Sequence, residues 1–184
     1  MDVVAALDDE PNIRIMRLFN EPAGKQLLKD RGVDGGLVDS LDVLGISSIA
    51  NIMGAIKMAK YFEWDSSHLI FTVATDSMEM YQSRLQEERD KHGEYSTTDA
   101  GIDYEGRLQA INTEALLELS YRDKKRMHNL KYFTWVEQQG KTVDELNAQW
   151  YDENYWLDRY QQVEQWDARI DEFNERTGLL KQYR

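Results

Sequence analysis

Gly45–Tyr81 reads GISSIANIMGAIKMAKYFEWDSSHLIFTVATDSMEMY, and the fold expected for this chain turns on that stretch. Ile49, Ile52, Met53 and Ile56 recur at i, i+3, i+4 and i+7, the stripe of a helix with one face in a core. Ser47 or Ser48 suits its N-cap, because a hydroxyl accepts from the free amides of a first turn. Lys57 and Lys60 favour the negative end of the helix dipole, and their spacing points to solvent rather than catalysis. Leu69-Ile70-Phe71-Thr72-Val73-Ala74 reads as a buried strand. Thr75-Asp76-Ser77 then turns the chain into a second helix through Met78, Tyr81 and Leu85. Asp76 supports two compatible readings. It can cap that helix, with Glu79 closing a capping box, or stand as a carboxylate at a strand's C-terminal end, where open α/β sheets bind ligands.

Upstream, Val3-Val4-Ala5-Ala6-Leu7 is a second run with the character of a buried strand. Asp8-Asp9-Glu10-Pro11 suits the first turn of a helix better than a metal cluster, because free amides there attract negative charge. Ile13, Met16, Leu18, Phe19 and Leu27-Leu28 continue a helical stripe that Pro22 interrupts. Downstream, residues 86–104 turn polar and lose all apolar period, as a linker or surface excursion does. Beyond them the pattern is helical and aromatic. Ala115–Leu119 and Leu130–Val136 read as helices, the second ended by Gly140. Thr142 with Glu145 starts another. Trp156, Tyr160, Val163, Trp166, Ile170 and Phe173 mark a last long helix before Gly178. Such a stripe is more in keeping with packing or an interface than with a ligand cage.

The sequence predicts an α/β fold: a partial open twisted sheet with flanking helices over 1–90, a polar linker or surface loop over 91–104, and a helical, aromatic-rich extension over 105–184. A net charge of −12 over 184 residues argues against nucleic acid or an anionic membrane as partner, since phosphate binding needs concentrated Lys and Arg. The one basic run, Arg122–Arg126, is interrupted by Asp123. There is no cysteine, hence no disulfide framework, thiolate metal site or thiol nucleophile. No apolar run has membrane-spanning length and the N-terminus lacks a signal-peptide pattern, so a cytoplasmic location is expected. His68, His92 and His128 fall in no metal-ligand spacing. No dinucleotide fingerprint or P-loop is present. Residue by residue, the reading ends at an α/β unit with a polar site at Ser47-Ser48 and Asp76-Ser77.

As a string, residues 3–85 resemble the C-terminal half of the catalytic domain of fold type II pyridoxal-phosphate enzymes, the superfamily of cysteine synthase, cystathionine β-synthase and threonine synthase. The resemblance rests on the order VVAALDDE, a helix, LGISSIANIMGAIKMAK and LIFTVATDSMEMYQSRL. The C-terminal stretch LKYFTWVEQQGKTVDELNAQWYDENYW…WDARIDEFNERTG is similar to the tail of a poorly characterised branch of that superfamily.

The resemblance implies that Gly45, Ile46 and Ser47 line the cofactor pocket and that Asp76 or Ser77, with Asp76 favoured, meets the pyridine nitrogen. A carboxylate there keeps the ring protonated, which a hydroxyl does not. Cysteine synthase itself uses a hydroxyl, so Asp76 points away from simple β-replacement. The superfamily's Schiff-base lysine, substrate-carboxylate loop and glycine-rich phosphate loop have no counterpart before Val3. The implied protein is one subunit of a split, heteromeric pyridoxal-phosphate enzyme acting on an amino acid by elimination or replacement, its cofactor shared with a complementary N-terminal-half subunit. The competing expectations are a non-catalytic regulatory half that keeps the fold, and a stand-alone acidic helical interaction protein.

Overall fold

Asp8 accepts a hydrogen bond from the Glu10 amide and caps α1 (Asp9–Asn20), whose first turn carries Asp9 and Glu10 as the helix dipole favours. The computed structural model describes residues 2–182. It divides into two packing units, residues 3–118 and a unit drawn mainly from residues 119–182. α1 is the central element of the first. Ile15, Met16, Leu18 and Phe19 are all buried in its core. Pro22 occupies the first turn of α2 (Pro22–Asp30), where a missing N–H does no harm, so the chain bends there as expected. At that corner, a Cβ on Gly24 would lie 2.1 Å from the Leu18 carbonyl oxygen, so only glycine fits.

α3 (Gly35–Asp39) is capped by Asp34 and followed by a 3-10 turn, Leu41–Val43. α4 (Ile46–Tyr61) buries Ile49 and Met53 of the anticipated stripe. A second 3-10 turn, Met78–Tyr81, leads to α5 (Gln82–His92), and α6 (Thr97–Asp103) starts in a capping box between Ser96 and Asp99. α6 runs into a π-helical turn, Tyr104–Gln109. β1 (Val3–Ala5) pairs antiparallel with β2 (Leu116–Glu118) in the register Val4↔Leu117.

Charged groups penetrate this core. Arg17 is 1% exposed; its guanidinium donates to the Gly93 carbonyl at 2.8 Å and lies 4.9 Å from the Tyr95 ring centre. The fully buried carboxylate of Asp103 accepts from Arg14 at 2.9 Å, Arg107 at 3.0 Å and the Tyr95 hydroxyl at 2.7 Å. Burial, then the bond to Asp103, pushes the Tyr95 phenol far above its ordinary range and keeps it a donor.

In the second unit, Ser120 and Asp123 form a capping box on α7 (Tyr121–Asn129). A π-helical turn follows at Tyr132–Val136, and Gly140, at φ +67°, reverses the chain. α8 (Val143–Tyr151) is capped by Thr142 through the Glu145 amide, as its sequence indicates. Buried His128 engages the Leu146 carbonyl oxygen at 2.9 Å, and Lys125 sits over the rings of Trp150 and Tyr151. α9 (Tyr155–Gln161) and α10 (Val163–Thr177) replace the single long helix expected, and Gly178 ends the latter in the left-handed region. None of α10's residues is buried, and Trp166, Ile170 and Phe173 stand about half exposed.

The α/β expectation is overturned. The described residues are mostly helical, and their sheet is the two-stranded pair alone. Leu69–Ala74, the predicted central strand, has no neighbouring strand and is exposed throughout. Without a laterally adjacent backbone, an apolar run has the composition of a strand but no ladder to join. Val3–Ala5 does form a strand, but both of its faces are partly open. Ala115–Leu119 is not a helix: Ala115 takes a left-handed turn (φ +52°) and Leu116–Glu118 pairs with β1. Residues 91–104 are no linker either, since Tyr95, Ala100 and Asp103 are buried. Their polarity hid a role in ion pairing. No helix among the described residues is long and apolar enough to cross a membrane.

Removing Asp103 takes away the buried carboxylate that Arg14, Arg107 and the Tyr95 hydroxyl share, and leaves the two arginines only their more exposed partners Asp99 and Glu10. Asp103→Ala is expected to lower stability by about 3 kcal/mol, the scale of breaking a buried ion pair. Glu10→Ala removes an exposed partner of Arg107 and one of two acidic groups in α1's first turn, and should cost no more than about 1 kcal/mol. Urea unfolding of the two variants, followed by circular dichroism, makes the comparison.

Candidate functional site

α4 begins without a side-chain cap of its own: its N-cap is Gly45, and its first-turn amides need an acceptor from elsewhere. Asp76 supplies it across 28 residues of chain. Its Oδ1 accepts from the Ser48 amide at 3.4 Å, the Ser48 hydroxyl at 3.0 Å and the Thr75 hydroxyl at 3.2 Å. Its Oδ2 accepts from the Tyr81 hydroxyl at 2.5 Å. The main chain locks the same junction, with Gly45 N–H donating to the Asp76 carbonyl at 2.9 Å and the Ser48 hydroxyl donating to it at 3.1 Å.

Gly45 is required here by space rather than conformation, because its φ of −73° suits any residue. A Cβ at this position would come within 2.6 Å of the Asp76 carboxyl carbon. Neither serine is the N-cap, as the sequence had suggested. Ser48 is buried in the first turn with its hydroxyl on Asp76, while Ser47 is exposed. Asp76 does not cap the helix that follows it, and no capping box with Glu79 forms, because the carboxylate is turned back to α4.

The electrostatics follow from these bonds. Tyr81's hydrogen bond, reinforced by Ser48 and Thr75 against the opposing effect of desolvation, holds the Asp76 carboxyl below its ordinary range. The same bond to Asp76 raises the Tyr81 phenol. The site is therefore an anion fixed on a helix N-terminus, with a neutral phenol beside it.

Of the residues singled out, Gly45, Ser48 and Asp76 come together at this junction, and Ser77 follows Asp76 in the chain. Ile46 faces inward against the core and its carbonyl accepts from the buried Asn12 amide at 3.2 Å. Among the described residues the hydroxyls of Ser47 and Ser77 have no hydrogen-bond partner. Sequence reasoning missed Tyr81, which reads there only as part of a helical stripe, and Asn12, whose signal was a polar side chain inside an apolar one. It also misplaced Lys57, whereas Lys60 is exposed as expected. Lys57 is buried, donates to the Ala6 carbonyl at 2.9 Å, and borders a cavity of about 390 Å³ with Asp8, Arg107, Asn112 and Glu114. Lys60 donates to the Gln109 and Ile111 carbonyls. Both are tethers from α4 to neighbouring chain rather than free amines.

Asp76→Ala removes what is, among the described residues, the only side-chain acceptor on α4's first-turn amides and should destabilise the protein by about 1 kcal/mol, the usual scale for an N-cap. A carboxyl whose folded-state pKa lies below its unfolded value stabilises fully above the unfolded value, about 3.9. The difference between wild type and Asp76→Ala should thus be constant above about pH 4 and shrink as pH falls through the lower, folded-state pKa. Urea midpoints measured across that range test the sign. No protein-family model, curated protein or solved structure matches this chain.

Proposed function

We propose that the chain is one subunit of a split, heteromeric pyridoxal-phosphate-dependent enzyme that catalyses elimination or replacement on an amino acid. The observation that carries this reading is the meeting of the Gly45–Ser48 turn with Asp76 as a fixed anion. Both lie in segments that contribute to the family resemblance, 28 residues apart in sequence.

The donor set suits the nitrogen edge of the cofactor. Oδ1 of Asp76 is consumed by three donors, whereas Oδ2 carries Tyr81 alone and keeps an acceptor position on a half-buried side chain. Asp76 would hold a proton on the ring nitrogen, and the backbone of Gly45, Ile46 and Ser47 would line the pocket beside it. Ser48 and Tyr81 orient the carboxylate and keep it charged. When bound, pyridoxal phosphate supplies an electron sink for negative charge developing at the amino acid's α-carbon. The Schiff-base lysine and the phosphate loop belong, in this reading, to the complementary N-terminal-half subunit.

The test is co-expression with an N-terminal half of a cysteine-synthase-type catalytic domain, followed by co-purification and visible spectroscopy. A coloured complex that turns over an amino acid is expected. Asp76→Asn should reduce turnover by on the order of 100-fold, the scale on which one positioned electrostatic partner acts, and shift the absorption band. A stable but colourless complex would overturn catalysis and leave the regulatory role.

A further inference from the structure

Leu69–Ala74 is extended apolar chain held in the open between two pinned ends. At its start, Asp65 accepts from the Ser67 amide and hydroxyl, and His68 stacks on Trp64. At its end, Asp76 is locked to α4. Between them Leu69 is 78%, Phe71 87% and Val73 66% exposed. Among the described residues no amide from Leu69 to Thr75 donates a hydrogen bond. Of the carbonyls in that segment only that of Val73 accepts one, from the Asn51 side chain at 2.9 Å.

We infer that Leu69–Ala74 is a docking strand that adds to the open edge of a β-sheet in a partner polypeptide. The geometry specifies the partner's chemistry. The segment is about 20 Å long at 3.3 Å per residue, an ordinary strand length. Leu69, Phe71 and Val73 fall on one face and Ile70, Thr72 and Ala74 on the other, and all six are exposed. A strand with Leu69, Phe71 and Val73 on one face, and Ile70 and Ala74 about a single hydroxyl on the other, is mainly apolar on both faces and belongs inside a sheet covered on both sides. A second copy of this chain would supply only a two-stranded ribbon with both faces still wet, and would bring another −12 charges. The occupant is therefore a preformed sheet with an open edge and apolar cover on both faces. Main-chain hydrogen bonds would give affinity and Phe71 the anchor, as in strand addition generally.

This inference rests on the proposed partnership with an N-terminal half, though not on the cofactor. Its probe is the same co-expressed N-terminal half, and its readout is amide hydrogen exchange. In the isolated chain the amides of 69–75 should exchange at the rate of unstructured peptide, and in the complex they should slow at least 100-fold. Phe71→Asp and Val73→Pro should each weaken the complex at least tenfold while leaving the isolated chain's circular dichroism and melting temperature unchanged. The inference is overturned by failure of any complex to form, or by a complex that leaves these amides unprotected. It is equally overturned if the isolated chain protects them, whether independently of concentration (internal pairing) or increasingly with it (pairing of copies). A colourless complex with 69–75 protected keeps the docking strand and sinks only the enzyme.

Discussion

The unit of residues 3–118 depends on the burial of one charge. Arg17 stands on the apolar face of the central helix, where a guanidinium without partners would be costly to desolvate. Its neighbours are built to meet it. The chain after α5 reverses so that the Gly93 carbonyl points inward, Tyr95 lays its ring against the cation, and Glu21 at the helix corner accepts from it at 3.4 Å. Glu21 also accepts three hydrogen bonds from Arg89, which ties α5 to the same corner. Arg14, Tyr95, Asp103 and Arg107 extend the network into α6 and the π-helical turn. The polar half of the unit is thereby fixed to the apolar half through a handful of charged side chains.

That arrangement explains what the sequence made legible. Local rules served well wherever the decisive partner lay within a few residues. The acidic start and proline break around α1 and α2, the Thr142 cap and the glycine stops at Gly140 and Gly178 formed as read, and half of the α4 stripe, Ile49 and Met53, is buried. They failed where the partner was distant. Residues 91–104 looked like a linker because Tyr95 and Asp103 satisfy their polarity with arginines some 80 to 90 residues earlier in the chain. Ala115–Leu119 lacked a visible strand signal because its mate, Val3–Ala5, lies at the opposite end of the unit.

The candidate site divides the same way. Ser47-Ser48 and Asp76-Ser77 stood out as polar groups at element ends, and the fold does bring their two segments together. What no local pattern could give was the direction of the Asp76 carboxylate, which abandons the helix it precedes to cap one that starts 30 residues before it. A through-space cap of this kind leaves its own signature in Gly45, where the close approach excludes any side chain.

The open run Leu69–Ala74 also has a colloidal consequence. An uncharged, β-branched and aromatic segment without proline is the composition that nucleates cross-β stacking between identical chains. Its protection in the free protein is long-range: 34 acidic against 22 basic residues keep copies apart. Salt shortens the reach of that repulsion to about 8 Å at physiological ionic strength. Solubility of the unaccompanied chain is thus bound to its ionic surroundings, and the excess of acid spread over the whole surface serves as the gatekeeper for one short stretch of backbone.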